Sequence, residues 1–303
     1  MAEDSAILVV GADGLIGRAL AERLAREKQP LVQTVLQKGD ITDIGNKGAE
    51  ISDVPLFLAL DLARDAASWR PPRPVSVAYL CAAVTSQEYC RRHPRESRAV
   101  NVAGTLTLAR RLAVGGARIV FLSSNLVLDG AAACQRADTP LRPQCEYGRQ
   151  KAEVERELRE LPGACIVRLT KVLGPAAPRL AEWATALAAG RPVRPLADLR
   201  MAPVPLGFVV EVLLRLAAVP LEGVVQVSAA EDITYEQAAR HIARRLAADP
   251  SLVQPLTAAA AGLDLEHLPA HTTLDTTRLR TELGLAPPDV WAAVEIGVGY
   301  ASA

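Results

Sequence analysis

Near its start the chain places three glycines between a short apolar run and an amphipathic pattern, in the stretch "ILVVGADGLIGRAL". Gly11, Gly14 and Gly17 follow the apolar run directly and stand where the helical pattern begins. Glycine allows a sharp turn, lets backbone approach a pyrophosphate, and permits close packing of helix on strand. A helix start also offers unpaired N–H groups to phosphate. The spacing therefore predicts a phosphate-binding turn, with a tight turn that holds no ligand as the alternative.

Short apolar runs rich in β-branched residues recur along the chain and alternate with helical patterns. Each run is apolar on both of its alternating faces, which is typical of strands buried on both sides of a sheet. Alternating strands and helices favour a parallel sheet with helices on both faces. We therefore predict an α/β fold with a Rossmann-type doubly wound parallel sheet, whose strands are 6–10, 31–36, 56–60, 75–80, 117–122, 164–169 and 224–228.

The alternation changes after about residue 170, which suggests a second domain. Residues 171–303 contain proline-rich loops and helical patterns with few strands between them. We predict a dinucleotide-binding domain over 1–170, with a returning piece near 203–228, and a smaller, mostly helical substrate-capping domain over 171–303.

Composition excludes several classes of function. The 303 residues carry 34 basic and 34 acidic side chains, so a formal charge of zero gives no reason to expect nucleic acid or an anionic membrane as a partner. Apolar runs are too short to cross a bilayer, and the N-terminus lacks the pattern of a signal peptide. Five cysteines without C-x-x-C spacing indicate reduced thiols and a cytoplasmic location. The histidines lack metal-ligand spacing, so no metal is expected.

The choice between NAD and NADP depends on the residue that follows the second strand. An acidic residue about twenty positions after the glycines usually binds the ribose of NAD. Here the count ends near Gln37 and Lys38, and Asp40 comes too late. A lysine would tolerate the 2′-phosphate of NADP, so the cofactor is NAD or NADP with a preference for NADP. Lys38 as an ordinary solvated loop residue is the alternative.

A tyrosine and a lysine stand four residues apart at the start of a helical pattern, in "EYGRQKAEVEREL". Tyr147 and Lys151 therefore share one helix face. A free tyrosine titrates near pH 10, and a neighbouring cation lowers that pKa toward neutrality, as a general acid requires. Ser123 and Ser124 end an apolar strand, where doubly wound sheets bind ligands. The alternatives are an exposed pair on a helix and ordinary turn serines.

Seven motifs in order resemble the extended short-chain dehydrogenases/reductases, and within them the dTDP-4-dehydrorhamnose reductases and sugar-nucleotide epimerases. The motifs run from about residue 6 to 175, with weaker similarity beyond. They are "GADGLIG", "ALDLARD", "LCAAVT", "AVNVAGTLTLA", "SSNLVLDG", "YGRQK" and "VRLTKVLGP".

The resemblance implies a role for each matching residue. It implies catalysis by Ser124, Tyr147 and Lys151. It implies cofactor binding by these last two together with Gly11, Asp13, Gly14, Leu15, Ile16, Gly17, Asp61, Leu62, Cys81, Ala82, Ala83 and Asn101. The substrate-binding residues that it implies are Thr85, Ser124, Asn125 and Lys171.

The departures from the family pattern lie on the substrate side. Asn125 and Leu126 replace an aspartate and a tyrosine, and Lys171 stands where a tryptophan is frequent. Further departures are Gly207 and Phe208 in place of an acidic residue, and Ala270 and His271 in place of an Arg-Pro pair. A lysine in place of an aromatic residue suits a more anionic substrate.

The resemblance implies an NAD(P)-dependent oxidoreductase or epimerase that acts on a small-molecule nucleotide-linked sugar. Reduction of a 4-keto sugar and epimerisation through a transient ketone would use the same residues. One alternative is a non-catalytic, dinucleotide-binding regulatory subunit of the same fold, and another is a reductase of a non-sugar ketone. A homodimer, which is common in the broader family, is also left open.

Overall fold

The computed structural model describes residues 5–36 and 56–300. The chain divides into two compact units, each built from three segments. Unit 1 comprises Met1–Ser123, Glu146–Val167 and Leu213–Val224. Unit 2 comprises Ser124–Cys145, Arg168–Val212 and Val225–Ala303.

The strands of the described residues are mostly short and buried. They are β1 Ala6–Val10, β2 Leu31–Val35, β3 Leu56–Ala59, β4 Val75–Leu80, β5 Arg118–Ser124, β6 Cys165–Leu169, β7 Val172–Leu173, β8 Arg200–Met201, β9 Val204–Pro205, β10 Gly223–Val227 and β11 Ile233–Thr234.

The α-helices of the described residues lie between these strands and after the last of them. They are α1 Leu15–Arg26, α2 Gln87–Arg92, α3 Pro94–Arg98, α4 Thr105–Val114, α5 Glu146–Arg159, α6 Pro178–Ala188, α7 Leu206–Ala218, α8 Tyr235–Arg245, α9 Thr277–Leu283 and α10 Val290–Val298. A π-helical segment, Ala99–Gly104, joins α3 to α4, and short 3₁₀ turns cover Asn125–Val127 and Pro250–Leu252.

The central sheet has seven strands in the order β10-β6-β5-β4-β1-β2-β3. The pairings of β1 with β2, β1 with β4, β2 with β3, and β4 with β5 are parallel. Strand order reverses between β1 and β4, which makes the sheet doubly wound and places a switch point beside the first strand. The predicted α/β fold class is confirmed, and all seven predicted strands lie in this sheet.

Burial explains why these segments form strands and helices. In β1, Leu8 and Val9 are completely buried, as expected for a strand covered on both faces. Helix α1 buries Gly17, Leu20 and Leu24, which recur at helical spacing, and leaves its other face to solvent.

The helical pattern before α4 contains a π-helical segment that the sequence pattern does not predict. It places Gly104 against the backbone of Leu62, where an added Cβ would lie 2.1 Å from the Leu62 carbonyl oxygen. Only glycine permits this approach. The apolar spacing alone predicts helix and does not distinguish π from α turns.

Unit 2 contains two small sheets besides its helices. β7 pairs in parallel with β9, and β8 pairs antiparallel with β11. These strands are two residues long, so they show no alternation of apolar and polar residues, and the sequence did not predict them. Arg168 is completely buried and donates to the Ala137 carbonyl at 3.2 Å and to Gln226 Oε1 at 3.1 Å.

Three further features of the described residues bear on function. The five cysteines form no disulfide. None of the helices in 5–36 and 56–300 has the length and apolar character that a membrane span requires. Over the same residues, no three His, Cys, Asp or Glu side chains cluster as metal ligands would.

Candidate functional site

The glycine turn of unit 1 is shaped by close backbone contacts. Gly11 has a φ of +86°, and an added Cβ would lie 2.7 Å from the backbone N and Cα of Ala82. A Cβ on Gly17 would lie 2.1 Å from the Gly11 carbonyl oxygen. Gly14 is exposed, and the nearest atom to its added Cβ is 3.5 Å away. Packing therefore fixes two of the glycines, and the third leaves open space at the helix start.

Helix α1 begins beside this open space, and the first N–H groups of a helix have no partner within the helix. Gly14 is its N-cap, no side chain caps it, and its first turn has no acidic residue. Leu15 is 54% exposed and Ile16 is half-buried. The positive end of a twelve-residue helix next to a glycine without crowding suits the pyrophosphate of a dinucleotide.

Asp13 links this turn to the end of the second strand. Its carboxylate accepts the Leu36 N–H at 3.3 Å, and its backbone carbonyl accepts from Arg18 at 3.1 Å. Gln37, Lys38 and Asp40, on which the NADP preference depends, lie outside the described residues, so that preference stays a prediction.

The other predicted cofactor residues follow neighbouring strands of the same sheet. Asp61 follows β3, and its carboxylate accepts the Ala63 N–H at 2.9 Å. Leu62 is buried beneath Gly104. Cys81 follows β4 and donates its N–H to the Val10 carbonyl at 2.9 Å. Together with the half-buried residues 82–83, they follow the carboxyl ends of their strands. Strand β4 borders the switch point, and β3 is the edge strand of the sheet.

Asn101 anchors the segment after β4 through both ends of its amide. It accepts the Val84 N–H at 2.8 Å and donates to the Val84 carbonyl at 2.9 Å. It also donates to Gln150 Oε1 at 2.8 Å, and Gln150 donates to Ser97 Oγ at 2.8 Å and to Glu146 Oε1 at 3.1 Å. This buried network ties the segment to helix α5. Thr85 lies just beyond it and is exposed.

Tyr147 and Lys151 lie together on helix α5, as the sequence spacing predicts. Lys151 is 3% exposed, and its Nζ donates to the Leu122 carbonyl of β5 at 2.8 Å. The same Nζ lies 4.6 Å from the centroid of the Phe121 ring and 5.8 Å from that of Tyr147. The half-buried phenol thus has a fixed cation beside it.

Burial disfavours the protonated form of Lys151 and so lowers its pKa. Desolvation lowers the pKa of Lys151 to about 8, and the negative charge of Glu155 opposes that shift. The Cys81 thiol stays neutral, because desolvation raises its pKa to about 12. A cation next to a phenol favours the phenolate form, so the pair suits proton transfer near neutral pH.

The two serines that end β5 have different surroundings. The Ser123 hydroxyl donates to the Glu155 carboxylate at 2.5 Å, and both residues are buried in unit 1. Ser124 is the first residue of unit 2. Its hydroxyl accepts the Leu126 N–H at 3.2 Å and lies 3.4 Å from Asn125 Oδ1. Ser123 is therefore committed to a buried carboxylate, and Ser124 caps a 3₁₀ turn.

The predicted site residues fall into two groups. The glycine turn, the residues that follow β3 and β4, Asn101, Tyr147 and Lys151 belong to unit 1. Ser124, Asn125 and Lys171 belong to unit 2, and Lys171 follows β6 as an exposed side chain. Sequence reasoning missed Gln150 and Glu155. Their one sequence signal is position, since they flank Lys151 at one and four residues on the same helix.

Comparison with known proteins places this geometry in a family. The chain matches the RmlD substrate binding domain family over residues 5–296. It is 28% identical over 289 residues to a probable dTDP-4,6-dihydroxy-2-methyloxan-3-one 4-ketoreductase from Streptomyces antibioticus, with 94% of this chain and 91% of that protein covered.

A second sequence relative is named as a subunit of an enzyme, not as a reductase. The chain is 29% identical over 175 residues to methionine adenosyltransferase 2 subunit beta from Danio rerio. That match covers 55% of this chain and 48% of the relative, so the chain spans about half the length of that protein.

A solved structure shares the fold. It is a dTDP-4-dehydrorhamnose reductase from Bacillus anthracis str. Ames in complex with NADP, with a TM-score of 0.78, 18% identity, and coverage of 97% of this chain and 98% of that one. The family match spans nearly the whole chain, and the fold and the glycine turn agree with it. The chain belongs to the RmlD substrate binding domain family.

Proposed function

We propose that this protein is an NAD(P)-dependent oxidoreductase or epimerase that acts on the sugar of a nucleotide-linked substrate. The observation that carries the proposal is the buried Lys151 ammonium, held on the Leu122 carbonyl one helical turn from Tyr147. Burying a cation without an ion pair is costly, so a fold that keeps one beside a phenol has a chemical use for it.

The residues of unit 1 fit a dinucleotide. The exposed start of α1 would hold the pyrophosphate, and the segment from Cys81 to Ala83 would line the reactive end of the cofactor. A nicotinamide dinucleotide would supply hydride donation and acceptance at this edge of the sheet. Titration with NADH and with NADPH distinguishes between the two cofactors.

In reduction, Tyr147 would donate its phenolic proton to the oxygen of a substrate ketone as that oxygen gains negative charge. Lys151 would stabilise the phenolate that remains, and its remaining N–H groups would face the cofactor ribose. Ser124 would donate a hydrogen bond to the substrate oxygen. Epimerisation would use Tyr147 first as base and then as acid, so these residues serve both reactions.

The surroundings of the two serines favour Ser124 over Ser123 as the substrate-binding hydroxyl. Ser123 already donates its proton to buried Glu155 and would have to break that hydrogen bond to act. Ser124 donates only at 3.4 Å, to the neighbouring Asn125, so its proton is more readily redirected to a ligand.

A second function is a regulatory subunit that binds a dinucleotide without turnover. The observation in its favour is the 29% identity to a protein named as the beta subunit of methionine adenosyltransferase 2. The neutral Asn125 and the exposed Lys171 at positions that the sequence assigns to the substrate also favour it. The presence of Tyr147 and Lys151 together argues for the enzyme.

Calorimetric titration with NADH and NADPH, followed by a turnover screen on nucleotide-linked 4-keto sugars, tests the proposal. We expect micromolar or tighter binding of one cofactor, and turnover that falls at least a hundredfold in Tyr147→Phe. Tight binding without turnover on any nucleotide sugar would move the conclusion to the regulatory subunit. The matched control is Tyr89→Phe, because Tyr89 is an exposed tyrosine of the same unit that donates to Glu96.

A further inference from the structure

One buried carboxylate of unit 1 has no part in the reaction proposed above. Glu155 lies on helix α5 and is completely buried. Its Oε1 accepts the Ser123 hydroxyl at 2.5 Å, and its Oε2 lies 3.7 Å from Nη2 of the exposed Arg159. A carboxylate is seldom buried completely, and here a hydroxyl donor and a cation hold it in that place.

Glu155 and Lys151 share one face of helix α5. They are four residues apart, which places their side chains one helical turn from each other. Both side chains are buried and reach the end of strand β5. Lys151 Nζ donates to the Leu122 carbonyl at 2.8 Å, and Glu155 accepts from Ser123, the next residue of that strand. Neighbouring contacts at one strand end therefore hold the ammonium and the carboxylate in the same buried region.

The carboxylate opposes the cost of burying the ammonium. Within residues 5–36 and 56–300, no carboxylate forms an ion pair with Lys151. A charge in a buried region still acts beyond contact distance, because the dielectric constant there is low. Desolvation lowers the pKa of Lys151 to about 8, and the negative charge of Glu155 works against that change. Glu155 thus favours the charged form of the lysine.

The other titratable groups around Lys151 bring no such charge near neutral pH. The Cys81 thiol, which follows β4, has its pKa raised to about 12 by desolvation. Cys90 on α2 is completely buried and donates its S–H to a backbone carbonyl at 3.5 Å. The Tyr147 ring centroid lies 5.8 Å from Lys151 Nζ, and its phenol is the proposed proton donor. The thiols are protonated, so the negative charge comes from Glu155.

We propose that Glu155 is a positioning residue for proton transfer: held by Ser123, its carboxylate keeps the Lys151 ammonium charged. This inference rests on the proposed function, because the charge of Lys151 matters to the reaction only if Tyr147 transfers a proton. It deepens that function by making the reaction depend on a buried carboxylate behind the lysine, and it gives Ser123 the task of holding that carboxylate.

The first test measures the pKa of Lys151 without any ligand. The chain has five lysines, so protein labelled with a heavy carbon isotope at lysine Cε gives few NMR signals, and the signal missing from Lys151→Met identifies this lysine. Wild type is titrated beside Glu155→Gln, which keeps an acceptor for Ser123 but lacks the charge. We expect the pKa of Lys151 to be about one pH unit lower in the variant, because an opposite charge nearby favours the charged form.

Two further variants complete this test. Glu153→Gln is the matched control, because Glu153 lies on the same helix but pairs with Arg98 at 2.5 Å, and residues two apart do not share a helix face. It should leave the pKa of Lys151 unchanged. Ser123→Ala removes the hydrogen bond that favours ionised Glu155, so it should lower the pKa of Lys151 by a smaller amount. Circular dichroism melting shows which variants are folded. An unchanged pKa in every folded variant of Glu155 and Ser123 would overturn the proposal and leave the proposed function standing.

The second test follows turnover against pH with a nucleotide-linked 4-keto sugar and saturating NADH or NADPH. We expect Glu155→Gln to match wild type within about twofold at pH 6, where Lys151 is protonated in both, and to be about fivefold slower at pH 8. An equal loss at both pH values would mean that Glu155 only supports the fold, and would overturn the proposal. Absence of turnover in wild type would contradict the proposed function and with it the role of Glu155 in the reaction, whereas the NMR titration would still show whether Glu155 keeps Lys151 charged.

Discussion

The two units use polar side chains in opposite ways. In unit 1 the buried polar groups that we propose for the cofactor side are paired: Asn101 with Val84 and Gln150, Ser123 with Glu155, and Lys151 with the Leu122 carbonyl. In unit 2 the side chains that we propose for the substrate are held less firmly: Ser124 Oγ lies 3.4 Å from Asn125 Oδ1, and Lys171 is exposed. Paired buried groups hold a fold rigidly, whereas exposed polar groups can turn toward a ligand. The difference supports our proposal that unit 1 holds the cofactor and that side chains of unit 2 contact the substrate.

The largest effect is expected at the glycine turn of unit 1. Gly17→Ala would place a methyl group against the Gly11 carbonyl, where the added Cβ has only 2.1 Å. We expect a loss of about 3 kcal/mol in the free energy of unfolding, since the backbone must shift to remove the clash. Gly14→Ala is the matched control, because its Cβ has 3.5 Å of space. Urea denaturation measures both, and equal losses would contradict the account of the turn.

The next effect concerns pH and the buried cation. Lys151 has a pKa of about 8 in the folded protein and about 10.4 when unfolded. Between these values the unfolded state binds more protons, so stability rises as pH increases from 8 to 10. We expect wild type to gain about 2 kcal/mol over this window relative to Lys151→Met. Urea denaturation of both proteins at pH 7, 8, 9 and 10 measures their free energies of unfolding. If the two free energies changed with pH in the same way, folding would not lower the pKa of Lys151.

A smaller loss is expected in the buried amide network. Gln150→Leu keeps roughly the shape of the side chain but removes the acceptor of one Asn101 amide hydrogen and the donor to Ser97 Oγ. Asn101 keeps its bonds to Val84, and Ser97 keeps its bond to the His93 carbonyl. We expect destabilisation of about 1–3 kcal/mol. The control is Gln144→Leu, because Gln144 is exposed and bonds only to the Arg142 carbonyl. If thermal melting showed the two variants to be equally stable, the network would not tie the segment after β4 to α5.

The smallest effect is expected in unit 2. Lys171 is exposed, and surface charges contribute little to stability, so in Lys171→Gln the free energy of unfolding should stay within about 0.5 kcal/mol of wild type. Arg194→Gln provides the baseline for an exposed cation of the same unit. A loss above 1 kcal/mol for Lys171→Gln alone would mean that this lysine stabilises the fold, and the contrast between the units would be withdrawn.

Much of the fold of unit 1 could be predicted from the sequence, because it depends on local patterns. The strands are apolar over several residues, and the glycines stand at fixed distances from them. Tyr147 and Lys151 are four residues apart on one helix, so their meeting needs no tertiary information. These features were predicted and are seen in the fold.

What was missed depends on distant partners. Glu155 meets Ser123 from 32 residues away, and Gln150 meets Asn101 from 49. The π-helical segment includes Gly104, which lies against Leu62, and helical periodicity does not predict this contact. Such pairings are set by the packed fold and leave no signal in local spacing.

The central claim is that Tyr147 and Lys151 carry out proton transfer for a nicotinamide cofactor. The most direct measurement is oxidation of NADPH or NADH, followed by absorbance, with a nucleotide-linked 4-keto sugar and saturating cofactor. We predict turnover by wild type and turnover at least a hundredfold lower in Tyr147→Phe, with cofactor still at saturating concentration for that variant. Equal rates in the two proteins would contradict the claim.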